Sequence, residues 1–288
     1  VEEENYISLL MEEPEAHLHP QLQDILFNYF KGMEKEKIQV FITSHSPTIT
    51  AKTNIDSTIV LYKKKSKIFN LSLRKCPLEP KEKNYLERFL DVTKSQLFFA
   101  KGVILVEGIS EALLLPVFAD IMREKYNLDK NGIEVVNIGG VAFKPFAKLF
   151  NSDKDEKRLN VNCSIITDND RNKDGEIPSR AQNAKDLEKE QLKVFFADYT
   201  FEYELYKTNS SMIIKTDKIL HSSFTINEAV SIEDQAKKFV EKLKNNKDKA
   251  IFAQELSRIL IENKNLMKTF VVPQYIQNAI KWVIQNGK

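Results

Sequence analysis

Apolar and polar positions along the chain follow two rhythms. Short unbroken apolar runs flanked by turn residues predict buried strands, and longer stretches with apolar residues three and four apart predict amphipathic helices. In the opening region Tyr6–Met11 and Gln39–Thr43 predict buried strands, and Pro20–Lys31 predicts a helix with Leu22, Ile25, Leu26, Tyr29 and Phe30 on one face. Thr58–Lys63 predicts a third buried strand. Strands and helices alternating over short connections predict a parallel sheet.

A charged, helix-prone connector, Pro77–Lys94, leads into a second alternating region. There the pattern predicts strands at Gly102–Val106, Glu134–Ile138, Asn162–Thr167 and Lys193–Phe196, with helices at Ser110–Tyr126, Lys144–Phe150 and Ala181–Glu190 between them. This is again a parallel α/β unit. From about Lys215 onward helical periodicity dominates, at Ile232–Leu243, Ala250–Glu262 and Val272–Gln285. The divisions expected from these shifts are 1–75, a helical connector 76–96, 97–214 and a helical region 215–288.

Composition narrows the class. The 288 residues are 42% hydrophobic and 29% charged, which fits one large or two ordinary globular domains and argues against wholesale disorder. The longest apolar runs, such as Val103–Val106 and Ala112–Ala119, stop well short of a membrane span, so no membrane partner is expected. Two cysteines, Cys76 and Cys163, build neither a disulfide framework nor a zinc site of their own, which fits a reducing cytoplasm. A net charge of +2 says little about partners, although a local basic strip suffices for nucleic acid. The chain opens at Val1 within a few residues of a chemical motif, and the expectation is a C-terminal part of a longer protein.

The first motif is ISLLMEEPEAHLHPQ at Ile7–Gln21. An apolar strand delivers Glu12 and Glu13 to its C-terminal end, where ligands bind in open α/β sheets. In nucleotide hydrolysis the first acid of such a pair assists Mg²⁺, and the second orients or deprotonates the attacking water. FITSHSP then sets His45 just after another strand, where it can contact a γ-phosphate. EEPEAHLHP and TSHSP resemble the Walker B, D-loop and switch-histidine segments of ABC-type ATPases, in the branch that includes SMC-like proteins and the OLD (overcoming lysogenisation defect) family. The resemblance implies Glu12, Glu13 and His45 as ATP and Mg²⁺ residues, Glu13 as catalytic acid, and D-loop structure for His17 and His19. No glycine sits in a phosphate-cradling GxxxxGK[ST] context and the ABC signature is missing, so ATP chemistry is expected only with upstream sequence supplied.

The second motif is GVILVEGISEALLLP at Gly102–Pro116. Glu107 ends a strand, Gly108 permits a tight turn, Ser110 can cap the following helix and Glu111 lies in its first turn. In IITDNDR, Asp168 and Asp170 are two apart, so on an extended segment their carboxylates point the same way. Converging carboxylates repel unless cations lie between them, and oxygen donors without His or Cys favour Mg²⁺ or Mn²⁺ over Zn²⁺. VEG followed by DND resembles a Toprim domain, and with an ABC-like segment upstream the chain resembles OLD-family nucleases. The fold implied is α/β: an incomplete ABC-type ATPase sheet, then a Toprim parallel sheet with a helical C-terminal region.

That resemblance extends to a two-metal site of Glu107, Glu111, Asp168, Asp170 and Glu202, the last from TFEYELY, with Glu204 as an alternate and Asp174 acting through water. Lys249, in KAIFAQEL, matches a family lysine that eases charge on the scissile phosphate. Lys154, Lys157, Arg158, Arg171 and Lys173 flank the acids and are candidates for contact with a DNA backbone. KKKSK at Lys63–Lys67 reads better as a solvated hairpin turn, and the Phe98–Phe99 and Phe195–Phe196 pairs as core. The function implied is a Mg²⁺- or Mn²⁺-dependent DNA endonuclease, coupled in the intact protein to ATP and acting in anti-phage defence inside a bacterial or archaeal cell. Its partners would be DNA, a second copy joined through the ATPase region, and a partner protein or separately supplied N-terminal fragment. A Toprim primase or topoisomerase, and a non-catalytic DNA-binding fragment, are the alternatives.

Overall fold

The computed structural model describes residues 7–33, 37–64, 66–139, 143–169, 179–221 and 230–285. The chain folds as two compact units, Val1–Phe99 and Ala100–Lys288.

In the first unit β1 (Ile7–Glu12) and β2 (Ile38–Thr43) pair in parallel, with α1 (Pro20–Met33) between them in sequence. Both strands were expected to be buried, yet Ile7, Leu10 and Phe41 are at least half exposed. A two-stranded sheet has too few neighbours to cover both faces of an apolar strand. α2 (Pro47–Lys52) follows, its N-terminus capped by the Ser46 side chain. The expected third parallel strand is instead one arm of an antiparallel hairpin, β3 (Ile59–Lys64) with β4 (Lys67–Ser72). Lys64 pairs with Lys67 at the closed end of the hairpin. Leu71, Leu73, Ile55 and Leu86 of α3 (Pro80–Phe89) are buried, so the connector helix carries part of this unit's core.

The second unit is built on a four-stranded parallel sheet in the order β6-β5-β7-β8, from β5 (Gly102–Val106), β6 (Ile133–Asn137), β7 (Asn162–Asp168) and β8 (Leu192–Ala197). β5 and β7 are central and almost wholly buried, which is why they read as unbroken apolar runs. Ile104, Val106 and Ile166 join one large core with residues of α4 (Ile109–Met122), α8 (Phe201–Leu220), α9 (Ile232–Asn246), α10 (Lys249–Glu262) and α12 (Gln274–Gln285). Alternation sends Val103, Leu105, Cys163 and Ile165 to the other face, where they too are buried. Between these elements lie the short helices α5 (Leu128–Asn131), α6 (Lys144–Ala147), α7 (Ser179–Lys185) and α11 (Lys264–Thr269).

The last helix completes the sheet. Ser164 Oγ donates to Ala279 O (3.3 Å) and Asn162 Nδ2 to Trp282 O (3.2 Å), so α12 runs antiparallel to β7 across its face. A Cβ at Gly102 would come within 2.8 Å of Ile133 and 2.9 Å of Val283, so only glycine admits the helix this close. Among the described residues no helix is long and apolar enough to cross a membrane.

The largest departure from the sequence reading is α8. The sequence reading placed no helix at TFEYELY, but Thr200 caps a 20-residue helix there by accepting from Tyr203 N. On a helix, residues two apart diverge by about 200°, so Glu202 and Glu204 cannot share a face.

Candidate active site

The acids of the second unit stand at the C-terminal edge of its sheet. Val106 pairs with Ile166, so Glu107 emerges from β5 beside Thr167 of β7, whose hydroxyl donates to its carboxylate. Asp168 closes β7 and accepts from Phe201 N through Oδ1 (2.9 Å), which joins it to the N-terminus of α8. Glu111 lies in the first turn of α4 and Glu202 in the first turn of α8; both are buried. A Cβ on Gly108 would lie 2.9 Å from Glu111 Oε2, so this glycine leaves that carboxylate its room. Ser110 was expected to cap α4, but Gly108 holds the cap position and Ser110 Oγ donates to Lys249 O (3.2 Å). Lys249 opens α10 and its Nζ donates to Glu202 Oε2 (3.0 Å).

Glu107, Glu111, Asp168, Glu202 and Lys249 thus line one cleft of about 250 Å³, with Gly108, Ile109 and Ser110. Burial first, and then the charges of Glu202 and Glu107, push the Glu111 carboxyl up to about 7, partly offset by a backbone hydrogen bond and by Lys249. Burial alone would lower Lys249, but Glu202, Asp168 and Glu111 outweigh it and hold the ammonium above its usual range. Among the described residues no three His, Cys, Asp or Glu side chains converge on one point. Lys249 supplies the positive charge that faces Glu202 in this cleft.

Two site expectations change. Glu204 is directed away from the cleft, with burial and Asp198 raising its carboxyl. Arg158 is buried and held by Asp155 (2.6 Å) and Glu190 (3.3 Å), so its guanidinium is committed to these two carboxylates rather than presented to DNA. Lys154 and Lys157 are exposed. Asp170, Arg171, Lys173 and Asp174 lie outside the described residues. Thr167 and Ser110 are the partners that the sequence reading missed or misassigned; only strand register and helix packing show them.

The first unit carries a separate polar cleft of Glu13, Glu15, Gln23, His45 and Ser46, among others. Glu12 ends β1 opposite Thr43, and Glu13 follows in a left-handed conformation (φ 43°), its N–H donating to Thr43 O at 2.9 Å. His45 Nε2 lies 3.0 Å from Glu13 Oε1. Sequence reading passed over Glu15, which is buried and accepts from Ser44 Oγ (2.5 Å) and His45 N (3.1 Å). It ties the two motifs together. Neither His17 nor His19 lines the cleft.

Comparison with known proteins agrees with this division. Residues 98–170 match the family described as overcoming lysogenization defect protein-like, TOPRIM domain, and residues 1–50 match an AAA ATPase domain. The class is therefore an α/β chain joining an ATPase-type segment to a Toprim domain. Endonuclease GajA of Bacillus cereus (strain HuB5-5) is 27% identical over 209 residues, covering 64% of this chain and 29% of that protein. The OLD nuclease of Thermus scotoductus is 26% identical over 142 residues, covering 47% of this chain and 26% of that protein. The solved C-terminal region of the Burkholderia pseudomallei OLD protein superposes with a TM-score of 0.48 at 23% identity, covering 66% of this chain and all of that one. In its Toprim segment the chain is similar to OLD-family proteins. It spans less than a third of the length of these curated relatives.

Proposed function

We propose that this chain is the nuclease-bearing part of an ATP-coupled DNA endonuclease that nicks or cleaves phosphodiester bonds with Mg²⁺ or Mn²⁺. The observation that carries the reading is the meeting of Glu107, Glu111, Asp168, Glu202 and Lys249 in one cleft, from chain positions up to 142 residues apart. An all-oxygen donor set suits a hard divalent cation, and burial, with Glu202 and Glu107 adding to it, raises the Glu111 carboxyl to about 7. Glu107, Glu111, Asp168 and Glu202 would hold the ions, with Asp170 as a further ligand. Bound divalent cations lower the pKa of water and neutralise phosphate charge.

The protein's own residues do the rest. The Thr167 hydroxyl and the Phe201 amide fix the orientations of Glu107 and Asp168 before any ligand arrives. The first turns of α4 and α8 aim Glu111 and Glu202 inward from a rigid frame. Lys249 is a cation already directed into the cleft, suited to meet a non-bridging phosphate oxygen once Glu202 is engaged elsewhere. In the first unit, Glu12, Glu13 and His45 would serve ATP and Mg²⁺ in the intact protein, with Glu15 holding the loop that carries His45. Dimerisation through that region and a role in anti-phage defence follow from the same reading.

The test is nicking of supercoiled plasmid with Mn²⁺, Mg²⁺ or EDTA. Activity should need a divalent ion and fall roughly 10²–10³-fold in Asp168→Ala. Undiminished nicking by that variant would sink the reading.

A further inference from the structure

The functional reading leaves unused a network behind Lys249. Near the C-terminal end of α8, the Asp217 side chain is fully buried and accepts from Lys242 Nζ of α9 through both oxygens (2.6 and 2.5 Å). One turn later His221 stands between two carboxylates, Nδ1 3.5 Å from Asp217 Oδ1 and Nε2 3.1 Å from Asp248 Oδ2. Asp248 immediately precedes Lys249 and holds the N-cap position of α10.

An aspartate at that position ordinarily accepts a backbone N–H of its own helix. Asp248 makes no such bond; its carboxylate faces His221 instead, while its amide donates to Leu243 O (3.0 Å). On the other side, Lys249 O accepts from Ser110 Oγ, one residue from Glu111. The first residue of α10 is therefore pinned from α8 and from α4. A lysine has four rotatable bonds and a point charge, so where Nζ falls depends on where its backbone is held.

We propose that His221 is a positioning residue for Lys249, acting through Asp248. The inference rests on the nuclease reading above. Its distinguishing mark is that the contribution of His221 disappears when the lysine is absent, which a general packing role would not do.

The experiment is a double-mutant cycle on plasmid nicking by the complete protein with Mn²⁺. Lys249→Met should slow turnover about 10²-fold and His221→Phe about tenfold, while the double variant should be no slower than Lys249→Met alone. Asp248→Ala, which leaves the imidazole but removes its link, should show the same non-additivity. Additive losses, or wild-type turnover in His221→Phe or Asp248→Ala, overturn the inference and leave the nuclease reading standing. Loss of the folded state in both variants, followed by circular dichroism, makes the network structural and overturns it as well. A wild-type protein that does not nick DNA sinks the nuclease reading itself, and wild-type nicking by Lys249→Met removes the role of the lysine; the inference falls in either case.

Discussion

The two units set acids at the C-terminal ends of parallel strands and support them very differently. In the first, Glu12 and Glu13 follow a strand with one neighbour, and the His45 side chain is 82% exposed. In the second, Glu107 and Asp168 follow two central strands, and Glu111 and Glu202 are buried on helices packed into the same core. Water screens the first set of charges. In the second set burial, more than the neighbouring charges, pushes the Glu111 carboxyl up to about 7.

The sharpest way to break this contrast is to remove one leucine from each kind of strand. Leu105→Ala, in fully buried β5, should cost about 2–5 kcal/mol in urea unfolding. Leu10→Ala, at a position 74% exposed in β1, should stay within about 0.5 kcal/mol, read as local hydrogen exchange. Equal costs would mean that the two sheets are equally covered.

A second prediction sharpens the electrostatic side. With its pKa raised from 4.5 to about 7, Glu111 keeps its proton in the folded state after the unfolded chain has released it. Its contribution to stability therefore falls as pH rises through that window and is constant above it. In EDTA this decline should amount to about 3 kcal/mol across the window, and Glu111→Gln should flatten it. A profile unchanged by the substitution would show that Glu111 is not desolvated. A smaller effect than that of Glu111 is expected at Glu15 in the first unit. Glu15→Ala removes the acceptor for Ser44 and the His45 amide and should cost about 1–2 kcal/mol, seen as faster amide exchange at residues 44–46. Unaltered exchange there would remove Glu15 from its linking role.

Much of this was legible without coordinates, for identifiable reasons. Gly102–Val106 is a strand in both readings because a central parallel strand buried on both faces has to be apolar throughout. Glu107 was read at the end of one such run and Glu111 in the first turn of the next helix, and Asp168 just after another strand; β5, α4 and β7 place them so, with Asp168 as the last residue of β7. The reading fell short at Thr200–Tyr206, where it placed no helix and only the Thr200 cap marks the start of one. It failed again at Arg158, whose partners Asp155 and Glu190 lie on either side of β7 in sequence.

Local pattern by itself determined the parallel α/β character, the strands of the second sheet and the residue types that carry the chemistry, because burial and backbone geometry act over a few neighbours. Tertiary structure alone decided that β3 turns back as a hairpin and that Glu204, the alternate to Glu202, does not line the cleft. It also decided that Lys249 meets Glu202 across 47 positions and that Asp248 is diverted to His221. Those outcomes depend on strand register, helix phase and the packing of distant segments, which no window of sequence contains.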